Sequence, residues 1–214
     1  MKLLSILCLA LFITKSPMAE TRLPIGEFSQ NRLDGWESKS FKGETDYRLL
    51  NLKGITVLRA DSHNAASGLF KEQRIDLDQT PYLNWSWQIA NRLPGLNEQS
   101  KSGDDYAARV YVVISGGLAF WRTRALNYVW ASNSTKDKVW PNAFAGDHAI
   151  MIAVRGPESP LNTWAHEKRN VRADLKQMFG EDIRYIDAVA LMTDTDNSNS
   201  QAVAYYGDIW FSKD

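Results

Sequence analysis

The amino-acid sequence predicts an all-β protein, an antiparallel β-sandwich of jelly-roll type with one short helix. Residues 82–89 (Tyr-Leu-Asn-Trp-Ser-Trp-Gln-Ile) alternate strictly, with leucine, two tryptophans and isoleucine on one face and polar side chains on the other. Comparable short segments recur along the chain, separated by glycine, asparagine and aspartate, which is the pattern of antiparallel sandwiches. Helical spacing occurs at one place only, whereas a parallel α/β sheet needs a helix after nearly every strand.

The predicted strands follow one another between residues 36 and 211. Residues 108–115 place valine and isoleucine on one face and Arg109 and Tyr111 on the other, and this strand ends at Gly116 and Gly117. Several later strands are apolar on both faces, as expected where both sides of a strand are covered. In chain order, strands are predicted over residues 36–41, 47–52, 56–60, 68–71, 74–77, 82–89, 108–115, 125–132, 149–154, 186–192 and 203–211.

The single predicted helix covers residues 170–179. Val171, Leu175 and Phe179 recur at helical spacing, and Gly180 supplies the usual stop signal. One helix between two late strands is typical of a decorated sandwich.

The first nineteen residues have the layout of a secretory signal peptide. A basic start at Lys2 precedes an apolar run over residues 3–13, which is too short to span a bilayer, and a polar stretch ends at Ala19. We therefore expect cleavage after Ala19, a single mature domain over residues 20–214 with no transmembrane segment, and export to the periplasm of a Gram-negative-type bacterium. The only cysteine, Cys8, lies in this leader, so the mature chain has neither disulfides nor thiolate metal sites.

The charge balance argues against nucleic acid as a partner. Removing the leader takes away Lys2 and Lys15, so the 25 basic and 25 acidic residues become 23 and 25, a net charge of −2. Nucleic-acid binding needs a concentrated basic surface, which this composition does not supply.

Standard catalytic motifs fail when the residues are compared with them. His166 and Glu167 begin like a zinc-protease motif, but Asn170 stands where the second histidine belongs. Ser115 resembles a nucleophile elbow, but Val113 stands where that turn needs glycine. The three histidines have no metal-ligand spacing. The sequence therefore assigns no catalytic residue, no metal ligand and no cofactor.

Five stretches of sequence together resemble a known bacterial family. They cover residues 103–111, 127–132, 167–171, 192–197 and 205–209. In this order they are similar to the family described as domain of unknown function 3047. The resemblance spans nearly all of the mature chain and implies a small, exported, β-rich domain similar to carbohydrate-binding jelly rolls. It implies no established activity.

Arg109 is the most distinctive polar residue of the predicted strands. Asp104 and Asp105 precede its strand and could orient its guanidinium, which then offers planar donors to a carboxylate or to sugar hydroxyls. Tyr111 shares its face and would complete a polar binding surface. The alternative is a strand-entry turn with a structural ion pair, and the sequence leaves both interpretations open.

Asp194, Asp196 and Asn197 form the most acidic loop. It opens like a calcium loop, but Asn199 and Tyr205 stand where an EF-hand needs glycine and glutamate. A looser calcium site remains one hypothesis. The favoured hypothesis is that these side chains cap their own turn through backbone amides.

The aromatic residues leave two interpretations open. Trp85 and Trp87 share a face with leucine and isoleucine, which favours the core. Trp121, Trp130 and Trp140 lie in or near polar loops, where their rings would either stack on sugar rings or close the ends of the sandwich.

Three functions are compatible with these observations. The favoured one is a non-catalytic envelope module that binds a saccharide or cell-envelope glycan. The second is a polysaccharide-acting hydrolase or lyase; the meeting of Arg109, Tyr111 and two carboxylates in one open cleft would favour it. The third is a structural or partner-binding envelope protein. The candidate ligand-binding residues are Asp104, Asp105, Arg109, Tyr111, Trp130, Glu167, Arg169, Asp194, Asp196, Asn197 and Asp208.

Overall fold

The computed structural model describes residues 22–214. The predicted leader lies outside the described residues, so its cleavage after Ala19 stays a prediction. Among residues 22–214, no helix has the length and apolar character needed to cross a membrane.

Thirteen strands and one α-helix make up the described part of the chain. The first six strands precede the long loop that begins at Ala90, and the other seven follow it. Their bounds are β1 Arg22–Gly26, β2 Glu37–Lys42, β3 Asp46–Leu52, β4 Ile55–His63, β5 Ala66–Asp76, β6 Tyr82–Ile89, β7 Ala108–Ile114, β8 Arg124–Trp130, β9 Val139–Asn142, β10 Gly146–Arg155, β11 Ala165–Asn170, α1 Val171–Phe179, β12 Tyr185–Asp194 and β13 Gln201–Ser212.

The strands form two sheets, which confirms the predicted β-sandwich. The six-stranded sheet has the order β11-β6-β13-β4-β3, with β1 also paired to β13. The seven-stranded sheet has the order β2-β5-β12-β7-β8-β10-β9. Strand β7, which carries Arg109 and Tyr111, is antiparallel to both neighbours.

One pair departs from the predicted antiparallel arrangement, because β10 runs parallel to β8. The chain leaves β8, forms β9 at the edge of the sheet and returns as β10 between β9 and β8. Since β9 is the one reversed strand between them, β8 and β10 point in the same direction.

The core lies between the two sheets, where the alternation of β6 predicted it. Trp85 and Trp87 are fully buried from the six-stranded sheet. Across the interface they meet Tyr128 and Trp130 of β8, with ring centroids 5.3 Å apart for Trp85–Tyr128 and 5.6 Å for Trp87–Trp130. Large aromatic side chains of this kind contribute much of the buried apolar area of a small domain.

The predicted helix forms as α1 and is capped at both ends. The Asn170 side chain accepts a hydrogen bond from the Ala173 amide, and Gly180 adopts the left-handed conformation at φ +71°. Buried Asp174 accepts a hydrogen bond from the Tyr128 hydroxyl at 2.8 Å and an ion pair from Arg169. These contacts fix the helix to both sheets, through Tyr128 of the seven-stranded sheet and Arg169 of the six-stranded sheet.

The sequence analysis did not predict three of the observed strands. It also predicted two separate strands where the structure has one continuous strand. Strands β9 and β11 lie at sheet edges, and β1 pairs with β13 alone. Backbone pairing defines these strands, so they lack the alternating buried face that a sequence pattern would show. The segments predicted over 68–71 and 74–77 belong to the continuous β5, whose pairing with β12 shifts register between them. A bulge breaks the alternation on which the sequence prediction depends.

Candidate functional site

A cavity of about 480 Å³ opens on the face of the seven-stranded sheet that points away from the core. It forms here because Arg109 and Tyr111 of β7 alternate with Val110 and Val112, which point into the core. Neighbouring strands, including the end of β2, add further side chains to the same face, and the loops before β7 and after β9 and β12 complete the lining. Its polar lining includes Asp104, Arg109, Asn127, Asn142, Asp194 and Asn197.

Arg109 and Asp194 form a buried ion pair on the cavity floor. Only 6% of Arg109 and 1% of Asp194 are exposed, and the Arg109 Nη2 contacts the Asp194 Oδ2 directly. The Tyr106 amide donates to the other Asp194 oxygen at 3.1 Å. The guanidinium carbon lies 4.9 Å from the Tyr106 ring centroid and 5.6 Å from that of Tyr111. The Arg109 Nε is buried and has no hydrogen-bond partner.

Electrostatics keeps this arginine charged. Burial by itself lowers the pKa of Arg109. The carboxylate of Asp194 and other neighbouring acidic groups raise this pKa by more, so that it lies above its ordinary value. Burial raises the pKa of Asp194, whereas the guanidinium acts in the opposite direction. The pair therefore functions as a fixed dipole beneath the cavity.

Asp104 is the second carboxyl group in the cavity. It is 4% exposed, and the side-chain amide of Asn142 donates to its two oxygens at 3.0 and 2.9 Å. Burial raises the pKa of Asp104 above its usual 3.8, with Arg109 acting against that change. A single amide nitrogen serves both oxygens, so Asp104 retains acceptor positions for a ligand.

Asp105 lies behind the cavity and holds the loop that follows β12. Its two oxygens accept hydrogen bonds from the Asn197 backbone and side chain at 3.1 and 3.2 Å and from the Ser198 amide at 2.6 Å. Carboxylate oxygens of Asp105, Asp194 and Asp196 lie within 4.8 Å of one another. The amides of Asn197 and Ser198 are thus capped by Asp105 from the loop before β7 and not, as the sequence favoured, by side chains of the turn itself. The looser calcium site stays a prediction.

Two phenylalanine rings stand at the cavity rim. Phe41 at the end of β2 is 60% exposed, and Phe144 in the β9–β10 turn is 58% exposed. Lys39 lies 5.6 Å from the Phe41 ring and Lys101 lies 5.4 Å from the Phe144 ring. Neither ring was predicted, because an isolated phenylalanine in a weak strand or turn has no signature in sequence.

The sequence of the chain matches the model of one protein family. The family model described as "Protein of unknown function (DUF3047)" matches residues 34–210, which is most of the chain. This chain belongs to that family. The resemblance found in the sequence motifs is thereby confirmed. No curated protein has a sequence that matches the chain significantly.

Several solved structures share the general fold of this DUF3047 member. They include a family 11 carbohydrate-binding module from Clostridium thermocellum in complex with a β-1,3-1,4-mixed-linked tetrasaccharide, with 12% identity, 91% and 96% of the two chains covered and a TM-score of 0.44. A non-crystalline-cellulose-specific module, CBM28, has 11% identity, coverage of 88% and 93% and a TM-score of 0.47. The K1 cleaved adhesin domain of Lys-gingipain from Porphyromonas gingivalis has 13% identity, coverage of 91% and 99% and a TM-score of 0.42. Likenesses this distant concern the fold alone and carry no argument about a ligand.

The structure brings most of the residues predicted for this DUF3047 member to one place. The residues that converge lie on β7, on β12 or in the loops beside these strands. Because β7 and β12 are neighbours in the sheet, the motif around Arg109 and the motif around Asp194 meet although they are distant in sequence. Those lining the cavity are Asp104, Arg109, Tyr111, Asp194, Asp196 and Asn197, with Asp105 directly behind.

Trp130 is buried in the core of this family member, so the expectation of an accessible stacking ring there is wrong. It is 1% exposed and packs on Trp87 between the sheets. Trp140 is similarly buried at 3% and donates its indole hydrogen to the Glu98 carbonyl. Trp130 therefore belongs to the core between the sheets, whereas Trp140 stacks on Tyr106 in a separate buried cluster.

Glu167, Arg169 and Asp208 lie on the six-stranded sheet of the DUF3047 fold and do not reach the cavity. Glu167 pairs with Arg155 and accepts the indole hydrogen of Trp87 at 3.1 Å. Arg169 binds Asp174 of the helix, and Asp208 accepts hydrogen bonds from Ser29. The contacts shown for these three side chains are structural.

Proposed function

We propose that this protein is an exported, non-catalytic module that binds a glycan in the cavity of the seven-stranded sheet. The observation that carries the proposal is the cavity itself, in which a hydrogen-bonding floor lies beneath two exposed aromatic rings. Its volume of about 480 Å³ is within the usual range of small-ligand sites.

The floor offers both kinds of hydrogen-bonding group that a sugar needs. Asp104 presents acceptor positions, while Arg109 has a buried Nε–H without a partner. Asn127 and Asn142 add amide groups to the lining. A hydroxyl group donates and accepts at once, so a sugar ring suits this mixture better than an apolar ligand does.

The rim offers the apolar contact. Phe41 and Phe144 expose more than half of their surface beside the cavity. Aromatic faces of this kind stack on the apolar faces of sugar rings at little entropic cost.

A glycan array with purified protein tests the proposal, followed by titration of every hit. We expect Phe144→Ala and Phe41→Ala each to weaken binding about tenfold, since a buried aromatic contact contributes on the order of 1–3 kcal/mol. Trp121→Ala is the matched control, because Trp121 is 64% exposed and does not line the cavity. Absence of binding to any glycan would contradict the proposal and favour a structural role.

One observation favours a second candidate, a polysaccharide-acting enzyme. Asp104, Asp194, Arg109 and Tyr111 line the same cavity, the convergence that favours catalysis, and the raised pKa of Asp104 suits a general acid. However, Asp194 is held by Arg109 and by the Tyr106 amide. Of these two carboxyl groups, Asp104 is therefore the one without an ion-pair partner. Product analysis of each bound glycan separates the candidates: cleavage abolished by Asp104→Asn supports the enzyme.

Export is the remaining part of the proposal. It is supported by the basic start, the short apolar run and the small residue Ala19. N-terminal sequencing of the protein recovered from a periplasmic fraction should begin at Glu20. Recovery of uncleaved chain in the cytoplasmic fraction would contradict it.

A further inference from the structure

The charges around Arg109 do not balance. One guanidinium faces the carboxyl groups of Asp194 and Asp104, and Asp105 is close enough to raise the pKa of both. The other basic side chain of the lining, Lys42, lies 3.9 Å from Asp196. The cavity lining therefore holds three carboxyl groups, those of Asp104, Asp194 and Asp196, against the two basic side chains of Arg109 and Lys42.

Asp104 is the carboxyl group that is left without a basic partner of its own. Arg109 contacts Asp194 directly, and Asp105 is satisfied by the amides of the loop it holds. The side chains that hydrogen-bond to Asp104, those of Asn142 and Tyr106, are neutral. A buried carboxylate is stabilised by a positively charged donor far more than by a neutral one.

Arg109, in contrast, has a hydrogen-bond donor without an acceptor. Its side chain is almost completely buried, lines the cavity and leaves the Nε–H without an acceptor. A ligand that suits the floor must therefore bring a positively charged donor and, close to it, a neutral oxygen acceptor.

We propose that the glycan taken by this cavity is an amino sugar with a free amine, whose ammonium group binds Asp104 and whose adjacent hydroxyl oxygen accepts from Arg109. The inference rests on the proposed glycan-binding function and names its ligand class. The same charge distribution disfavours uronates, because their carboxylate would meet Asp104 and Asp194 while Arg109 is already paired.

Calorimetric titration of the protein with four hexasaccharides tests the inference: a fully deacetylated glucosamine oligomer, its N-acetylated form, cellohexaose and oligogalacturonate. We expect the free amine to bind at least about tenfold more tightly than the N-acetylated and cello oligomers, because hydrogen bonds between charged groups are the stronger ones. Oligogalacturonate should bind most weakly. Hexalysine, a polycation without sugar rings, controls for non-specific attraction and should not bind comparably.

Two variants assign the effect to Asp104. Asp104→Asn should remove the preference for the amine, so that the amine, N-acetylated and cello oligomers bind with similar affinity, whereas Asp208→Asn, the same change on the other sheet, should leave the preference and every affinity unchanged. Equal affinity for amine, N-acetylated and cello oligomers, or hexalysine binding as tight as the amine, overturns the inference and leaves glycan binding intact. Failure of all four hexasaccharides counts against the proposed function itself. The comparison of ligands uses the unaltered protein, so it does not depend on the folding of a variant.

Discussion

At the scale of single residues, the cavity floor depends on a charge pair that is expensive to bury. Arg109 and Asp194 are both removed from water, and each is stabilised by the other. A buried pair of this kind adds little net stability, but removing one partner leaves an uncompensated charge in the interior. The burial of Arg109 in β7 is therefore tolerated because Asp194, two residues beyond its paired residue Met192 on β12, contacts its guanidinium.

Arg109→Leu should destabilise the protein by about 3–5 kcal/mol, because it leaves Asp194 buried without its partner. Urea denaturation measures the change. The double variant Arg109→Leu/Asp194→Leu should recover most of the loss, since neither charge then remains. A double variant as unstable as the single one would show that the pair itself holds the sheet together.

Asp104 should make stability depend on pH in a defined direction. Burial raises its pKa in the folded protein above 3.8, its value in the unfolded chain. The protonated form therefore stabilises the fold fully below about pH 3.8, and this contribution is lost as pH rises through the higher folded-state pKa.

Asp104→Asn should consequently raise the urea midpoint at pH 7, because asparagine cannot ionise and still accepts from the Asn142 amide. The difference from the unaltered protein should shrink near pH 3. A variant that is less stable at pH 7 would contradict the expected direction.

At the scale of elements, short polar segments are fixed by single side chains. The buried carboxylate of Glu98 accepts hydrogen bonds from the amides of Ser132, Asn133 and Ser134, which shapes the connection after β8. Neither this role nor the edge strand β11 has a periodic signature, because both depend on a partner distant in sequence. The helix α1, in contrast, carries its spacing and its stop within ten residues.

The N-terminal cap of α1 offers a test at this scale. Asn170→Ala removes the acceptor for the Ala173 amide and should cost about 1 kcal/mol of unfolding free energy. Asn170→Asp keeps an acceptor and should cost much less. Chemical denaturation compares the two, and equal losses would indicate that the cap is not what stabilises this helix end.

At the scale of the whole molecule, aromatic side chains join the two sheets and leave the opposite face of the seven-stranded sheet for a ligand. Trp85 and Trp87 meet Tyr128 and Trp130 across the core. The cavity lies on the far side of the same strands, so core and site share β7, β8 and β12. A substitution in the core should therefore change stability without changing glycan affinity, and a substitution at a ligand contact should do the reverse.

Trp130 provides that separation. Trp130→Phe and Trp130→Ala should destabilise the protein progressively, with about 3–5 kcal/mol for alanine, because each leaves unfilled volume between the sheets. The glycan affinity of Trp130→Phe should stay unchanged when measured by calorimetry. A loss as large as that of Phe144→Ala would place the ring in the site after all.

The sequence by itself determined the sandwich, the helix, the family and the two motifs that hold Asp104, Asp105, Arg109, Asp194 and Asn197. It could do so because alternation, helical spacing and turn residues are local properties of the chain. Only the tertiary structure decided that Trp130, Glu167, Arg169 and Asp208 lie away from the cavity, that β8 and β10 are parallel, and that Phe41 and Phe144 stand at its rim. Those facts depend on which strands become neighbours, and strand order is set by packing between segments far apart in sequence.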